Sequence, residues 1–129
     1  MAQVSVYSRK SHLDTVKGAV SDAIQDCLVD AYGLPQDKRF HRFIGLGDDD
    51  MRHPEDRTEK YMIIEISGFE GRSVEAKKKL IRLLFERVTK AAGASNNALE
   101  ITIFETPKHN WGSRGVPGDE LPINYKVEV

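Results

Sequence analysis

Apolar residues recur along this chain with two periods, and the pattern occurs twice. Val4 and Val6 are apolar at every second position, and Ile64 and Ile66 meet them 60 residues later, the period of two expected of strands. After the first pair, Leu13, Val16, Val20, Ile24, Cys27, Leu28 and Ala31 fall on one helical stripe. After the second, Leu80, Leu83, Leu84 and Val88 do likewise. Ser11 and Ser73 stand near the two helix starts, where a hydroxyl can cap free amides. Gly33 and Gly93, again 60 apart, stand where a left-handed residue ends a helix. Strand-like runs follow at 39–46 and 99–105.

Each half therefore reads strand, helix, strand. A helix of about 20 residues is about 30 Å long and carries the chain back, leaving its two strands parallel. Two such units predict an α/β fold: one four-stranded sheet with both helices on one face. The segment "YMIIEI" puts Met62, Ile64 and Ile66 on one side and Tyr61, Ile63 and Glu65 on the other, and Phe104 alternates with Ile103. Both sides look too apolar for one to be bare, with no third layer left in the sequence, so the open face predicts self-association. The whole chain, 1–129, reads as one domain, with pseudo-repeats at about 1–46 and 61–105. A polar connector spans 47–60, and a C-terminal loop and strand span 106–129.

Composition narrows the partners. Nineteen lysines and arginines against twenty aspartates and glutamates leave no basic stripe for nucleic acid. Long apolar segments are absent, and residues 1–10 have no apolar core, so neither a membrane span nor a signal peptide is expected. One cysteine cannot form an internal disulfide, which suits a cytoplasmic protein.

Little chemistry is written in motifs. Asp48, Asp49 and Asp50 lack the spacing of a calcium loop and read as a solvated turn. The four histidines have no ligand spacing, so no metal is expected, and the absence of a phosphate loop or dinucleotide fingerprint predicts no cofactor. His41, in a strand, and His109, beside the single tryptophan, are the two histidines worth following. Cys27, on the apolar stripe, reads as a buried inert thiol. Arg72 immediately precedes Ser73 at a helix N-terminus, where the dipole favours an anion and a guanidinium can grip a carboxylate. The alternative is an exposed arginine paired with Glu70 or Glu75. In "HNWGSRGVPGDE" (109–120), Trp111 and Arg114 could supply an aromatic wall and a cation for a small organic acid, or the tryptophan could cover an oligomer seam.

The duplicated unit, with "AYGLPQDKRF" (31–40), "GRSVEAKKKL" (71–80) and "TPKHNWG" (106–112), resembles the tautomerase superfamily across nearly the whole chain. It is most similar to the larger, single-chain branch that includes malonate semialdehyde decarboxylase. The resemblance implies a homotrimer whose sheets face inward and a pocket for small keto or enol carboxylic acids. It also implies an amino-terminal proline as general acid or base, arginines that bind the carboxylate and a tryptophan that walls the pocket. Arg72 matches an arginine of "GRS" and Trp111 the tryptophan, while Ala2 stands where the proline should be and could act only if Met1 is removed. Glu70 replaces a second arginine, and Lys38, next to Asp37, replaces a catalytic aspartate. The expectation is a tautomerase-like protein moving a proton on a small keto or enol acid. Arg72, Trp111, Arg114, His41 and His109 are its candidate substrate-binding residues. The alternative is a non-catalytic trimeric binding protein that has lost the proline base.

Overall fold

The computed structural model describes residues 2–129; whether Met1 is removed concerns a residue outside that range. Strand β1 (Ala2–Arg9) runs directly into helix α1 (Lys10–Tyr32), which returns the chain to β2 (His41–Leu46). After the connector, β3 (Met62–Phe69), α2 (Val74–Ala92) and β4 (Leu99–Thr106) repeat the unit. The sheet order is β2-β1-β3-β4, parallel within each half and antiparallel where β1 meets β3. There Val4 lies opposite Ile66 and Val6 opposite Ile64. The repeat equivalents thus exchange partners about an approximate two-fold axis between the halves.

One sheet face makes the core. Val4, Val6, Met62, Ile64 and Ile66 pack against Leu13, Val20, Ile24 and Leu28 of α1 and Leu80, Leu84 and Val88 of α2. Gly33 (φ 68°) and Gly93 (φ 63°) end the helices in the left-handed region, a conformation that costs a glycine little. Ser73 caps α2 by accepting from the Ala76 amide at 3.1 Å. Ser11 does not cap α1: the helix begins a residue earlier, and its N-cap, Arg9, makes no side-chain cap bond. With no loop between strand and helix, the serine falls inside the first turn.

Three further expectations change. Strand β2 starts at His41 rather than residue 39. The final stretch forms only a two-residue pairing, β5 (Gly112–Ser113) with β6 (Val116–Pro117), and residues 121–129 are irregular. Pro122 has no amide to give a sheet ladder, and Val127 is buried where its γ-methyl crowds Gly71. The open sheet face is also more mixed than expected. Tyr7, Ile44, Ile63 and a half-exposed Phe104 lie among Gln3, Glu65 and Arg42, whose Nε donates to Ser5 Oγ at 3.0 Å. Asp48–Asp50 is an exposed turn. Among the described residues no helix is long and apolar enough to cross a membrane.

Candidate functional site

A cavity of about 560 Å³ opens at the end of the sheet where β1 begins, lined among others by Ala2, Lys38, Phe40, Arg114 and Tyr125. Four separate parts of the chain build it. Ala2 is the first residue of β1, buried and in register with Gly68. Lys38 and Phe40 lie on the loop from α1 to β2. That loop is held from within, because the fully buried Gln25 donates its amide to the carbonyls of Pro35 (3.1 Å), Gln36 (3.4 Å) and Lys38 (3.3 Å). The Val4 amide donates to Phe40 O at 2.9 Å and ties the far end of the loop to β1.

Arg114 comes from the tip of the β5–β6 hairpin. It and Gly115 take positive φ values of 50° and 87°, the backbone sense that a two-residue hairpin turn matching strand twist requires. Its Nη2 donates to Pro122 O at 3.2 Å and so joins the hairpin to the C-terminal segment, which supplies Tyr125. Two cations and two aromatic rings thus face the start of β1, a composition suited to a small organic anion with an unsaturated body.

Arg72 is not on that wall. It is only 5% exposed, donates from Nη1 to Phe69 O at 3.2 Å and lies over the Tyr32 ring, 4.6 Å from its centroid. The pairing with Glu70 or Glu75 expected of an exposed arginine is not made, because Arg72 is directed inward. Burial draws its guanidinium below its ordinary value, opposed by the nearby Tyr32, Tyr125, Glu105 and Glu128. Its Nε and Nη2 have no hydrogen-bond partner among the described residues, and neither has Glu105 Oε2, whose other oxygen accepts from Lys77 Nζ at 2.8 Å. Burial also raises the Tyr32 hydroxyl to about 12.

Trp111 packs edge-on against Phe69, with ring centroids 5.3 Å apart. The chain after the hairpin closes over the same ring: a Cβ on Gly118 would stand 3.1 Å from Phe69 and collide with Lys108 O. Trp111 and Arg72 therefore both touch Phe69, one at its ring and one at its carbonyl, yet neither lines the large cavity; Trp111 borders two shallower depressions. His109 is exposed on the rim of one of them. His41 lies elsewhere, its Nδ1 2.7 Å from Ser21 Oγ on α1, and burial pulls its pKa down to about 4. Cys27 is buried, and burial raises its thiol to about 11, as an inert thiol requires.

With this geometry in hand, comparison with known proteins decides the family. A family model described as tautomerase enzyme matches residues 38–114, more than half of the chain, beginning at the cavity's lysine and ending at its arginine. The chain belongs to the tautomerase family. The 2-hydroxymuconate tautomerase of Comamonas testosteroni is 39% identical over 57 residues, which make up 44% of this chain and 90% of that protein. The corresponding protein of Pseudomonas putida is 37% identical over 57 residues, with the same two coverages. Relatives of this kind span about one repeat, which places the present chain in the larger branch of the family, where both repeats share a chain.

Solved structures agree on the fold. A malonate semialdehyde decarboxylase superposes with a TM-score of 0.77 at 19% identity, covering 88% of this chain and 92% of that one. A chain of a fused 4-OT asymmetric trimer gives 0.81 at 22% identity, covering 91% and 96%. Sequence reasoning passed over Phe40 and Tyr125, which line this family member's cavity, and Gln25, which holds the loop that carries Lys38. Gln25 carried a signal, a polar side chain amid a helix's apolar stripe; Tyr125 carried none.

Proposed function

We propose that this tautomerase-family chain acts as a single unit, 1–129, on a small keto or enol carboxylic acid, moving a proton at its enol or enolate. The observation that carries the reading is the convergence of Ala2, Lys38 and Arg114 on one cavity. Arg114 would pair with the carboxylate, since a guanidinium grips it with two hydrogen bonds. Lys38 would hold the developing negative charge. If Met1 is excised, the Ala2 amine stands at the cavity as the proton shuttle; an α-amino group ordinarily titrates at about 7.7–8.0, close enough to neutrality to serve. Arg72 would add a deeper cation, and Trp111, on Arg114's hairpin, would report ligand binding. His109 and His41 are left with auxiliary roles at most, given where they lie.

The active form would be a homotrimer in the cytoplasm. The half-exposed Phe104 with Ile63 and Ile44 on the open sheet face supports association, and several of the matching structures are described as trimers. A second reading has its own support. Ala2 stands where the family keeps a proline, so the protein could bind such an acid in the same trimer without turning it over.

One experiment separates the readings. Intact mass establishes whether Met1 is absent, and phenylenolpyruvate ketonisation is then followed by absorbance in wild type, Arg114→Ala and Ala2→Pro. Losing the guanidinium should weaken acid binding, read from Trp111 fluorescence, by about tenfold or more, as expected for a charge-assisted hydrogen bond. A free amino-terminal proline should raise the rate by at least about tenfold, the low end for general acid–base groups. Equal binding by Arg114→Ala would sink the cavity assignment. A confirmed proline terminus without a rate gain would leave the binding-protein reading.

A further inference from the structure

The face of the sheet turned away from the helices is ordered in rows. Strand register places Arg42, Ser5, Glu65 and Thr102 side by side across all four strands. The row on one side runs Ile44, Tyr7, Ile63 and Glu100. On the other side, Ser67 stands beside the half-exposed Phe104. A charged row thus crosses the open face between isoleucines and a phenylalanine.

The two charges of that row are underused. Arg42 gives Nε to Ser5 Oγ at 3.0 Å, and its two terminal nitrogens meet no acceptor among the described residues. Glu65, half-buried beside Ile63, makes no side-chain hydrogen bond or ion pair among the described residues. Nor do the two meet each other. Ser5 stands between them, so their backbones lie about 9–10 Å apart at a strand spacing of about 4.7–4.9 Å.

Association through this face has to settle both charges. Covering Ile44, Ile63 and Phe104 strips water from Arg42 and Glu65 as well, and a charge so stripped is costly unless it gains a partner. One chain offers neither a partner; a second copy offers both. In a ring of three, each contact joins two unlike patches, because cyclic association is heterologous. The face carries such patches: Arg42 and Ile44 on edge strand β2, and Glu65 and Ile63 on β3, two strands away. A three-fold axis along the strands keeps every row at its own height. The β2 side of one copy then meets the β3 side of the next with Arg42 level with Glu65 and Ile44 level with Ile63.

We infer that Arg42 of one copy and Glu65 of the next form an ion pair at each contact of the homotrimer, and that this pair sets the register in which the sheets meet. The open face thereby selects a second copy of this chain, by opposite charge in one row and by isoleucine in the next. The inference rests on the trimer proposed above and is independent of the cavity and of turnover.

Charge reversal tests it. Sedimentation velocity over a dilution series, in graded urea where the wild type stays whole in buffer, gives the half-dissociation concentration. Glu65→Arg should raise it by about tenfold or more, since like charges juxtaposed at an interface are strongly unfavourable. Arg42→Glu should do the same. The exchange variant carrying both substitutions restores opposite charges and should return to within about threefold of wild type, the coupling that a double-mutant cycle isolates. Circular dichroism checks that each variant keeps its fold. If a reversal unfolds the chain, Arg42→Gln, Glu65→Gln and their double variant replace it, and the double should lose less than the two singles together. A wild type that is monomeric at micromolar concentration would overturn the trimer and the pair together. A trimeric wild type whose reversals dissociate no more readily, or whose exchange variant is not restored, would overturn the pair and leave the trimer standing.

Discussion

The turns from β1 into α1 and from β3 into α2 occupy equivalent places in the two repeats, yet they do different work. In the first, strand becomes helix without a loop, and Arg9 at the junction reaches sideways. Its guanidinium donates to Met51 O at 3.0 Å and Glu59 O at 3.2 Å and sits 3.0 Å from His53 Nε2, pinning the 47–60 connector. In the second, Glu70, Gly71, Arg72 and Ser73 intervene; the serine caps the helix, and the arginine turns inward with part of its hydrogen-bonding capacity unused. Duplication supplied two similar frames. The four positions that open the helix in the first repeat stay outside it in the second, where they leave room for a capping serine and an inward-directed arginine. An arginine whose donors are occupied by its own backbone is a tie, whereas one buried with free donors is an invitation to a ligand.

If the halves are equivalent as scaffolds and unequal only at these turns, equivalent core truncations should cost alike. Ile24 and Leu84, 60 residues apart and both fully buried, form such a pair. Each substitution to alanine should destabilise by about 2–5 kcal/mol in urea unfolding. A cost near zero for one of them would mean that the two repeats do not share one core.

The next largest effect is a pH dependence confined to the first half. His41 has a folded-state pKa of about 4, lowered by burial and then by Arg39. The unfolded chain takes up that proton near the ordinary value of about 6.5. Stability contributed by the neutral ring is therefore full above that value and is lost as pH falls from about 6.5 towards 4. The loss should reach roughly 2–3 kcal/mol by pH 4 in urea titrations. His41→Gln should remove most of this slope, leaving a remainder from His12, which burial also lowers. An unchanged slope would mean that the ring is solvated.

The two arginines give a contrast in sign. Arg9→Ala should destabilise by about 1.5–3 kcal/mol, the range for hydrogen bonds to charged groups. Arg72→Met should be close to neutral or stabilising, because replacing a poorly satisfied buried charge with an apolar side chain relieves desolvation. Thermal melts of both decide it, and a large loss for Arg72→Met would make that residue a tie like Arg9. The smallest difference concerns the serines. Ser73→Ala should cost about 1 kcal/mol as a lost cap, whereas Ser11→Ala, inside a helical turn, should stay within about 0.5 kcal/mol of wild type.

These contrasts also mark how far the sequence could be read. The repeat, the strand and helix types, both glycine C-caps and the Ser73 cap were legible because each depends on neighbours within a few residues. Ser11 misled because the sequence alone could not say that a strand would run straight into its helix. Arg72 and Trp111 were legible as residues of interest, but their surroundings were not. Whether an arginine faces solvent or a tyrosine ring depends on what the chain's end packs against, more than fifty residues later.

The sequence by itself determined the duplicated β-α-β frame, since hydrophobic periodicity and helix termini are local physics that a linear pattern can carry. It also determined the chemical inventory, including an alanine, not a proline, at position 2. Tertiary structure alone decided the grouping. It brought Ala2, Lys38, Arg114 and Tyr125, from four distant stretches, to one cavity and left Arg72 off its wall, buried over Tyr32. It also turned Gln25 inward to hold the loop that presents Lys38. Such groupings depend on which irregular segments find buried partners, as Val127 does beside Gly71. No period in the sequence encodes that choice, because the partner surface exists only once the sheet and helices have formed.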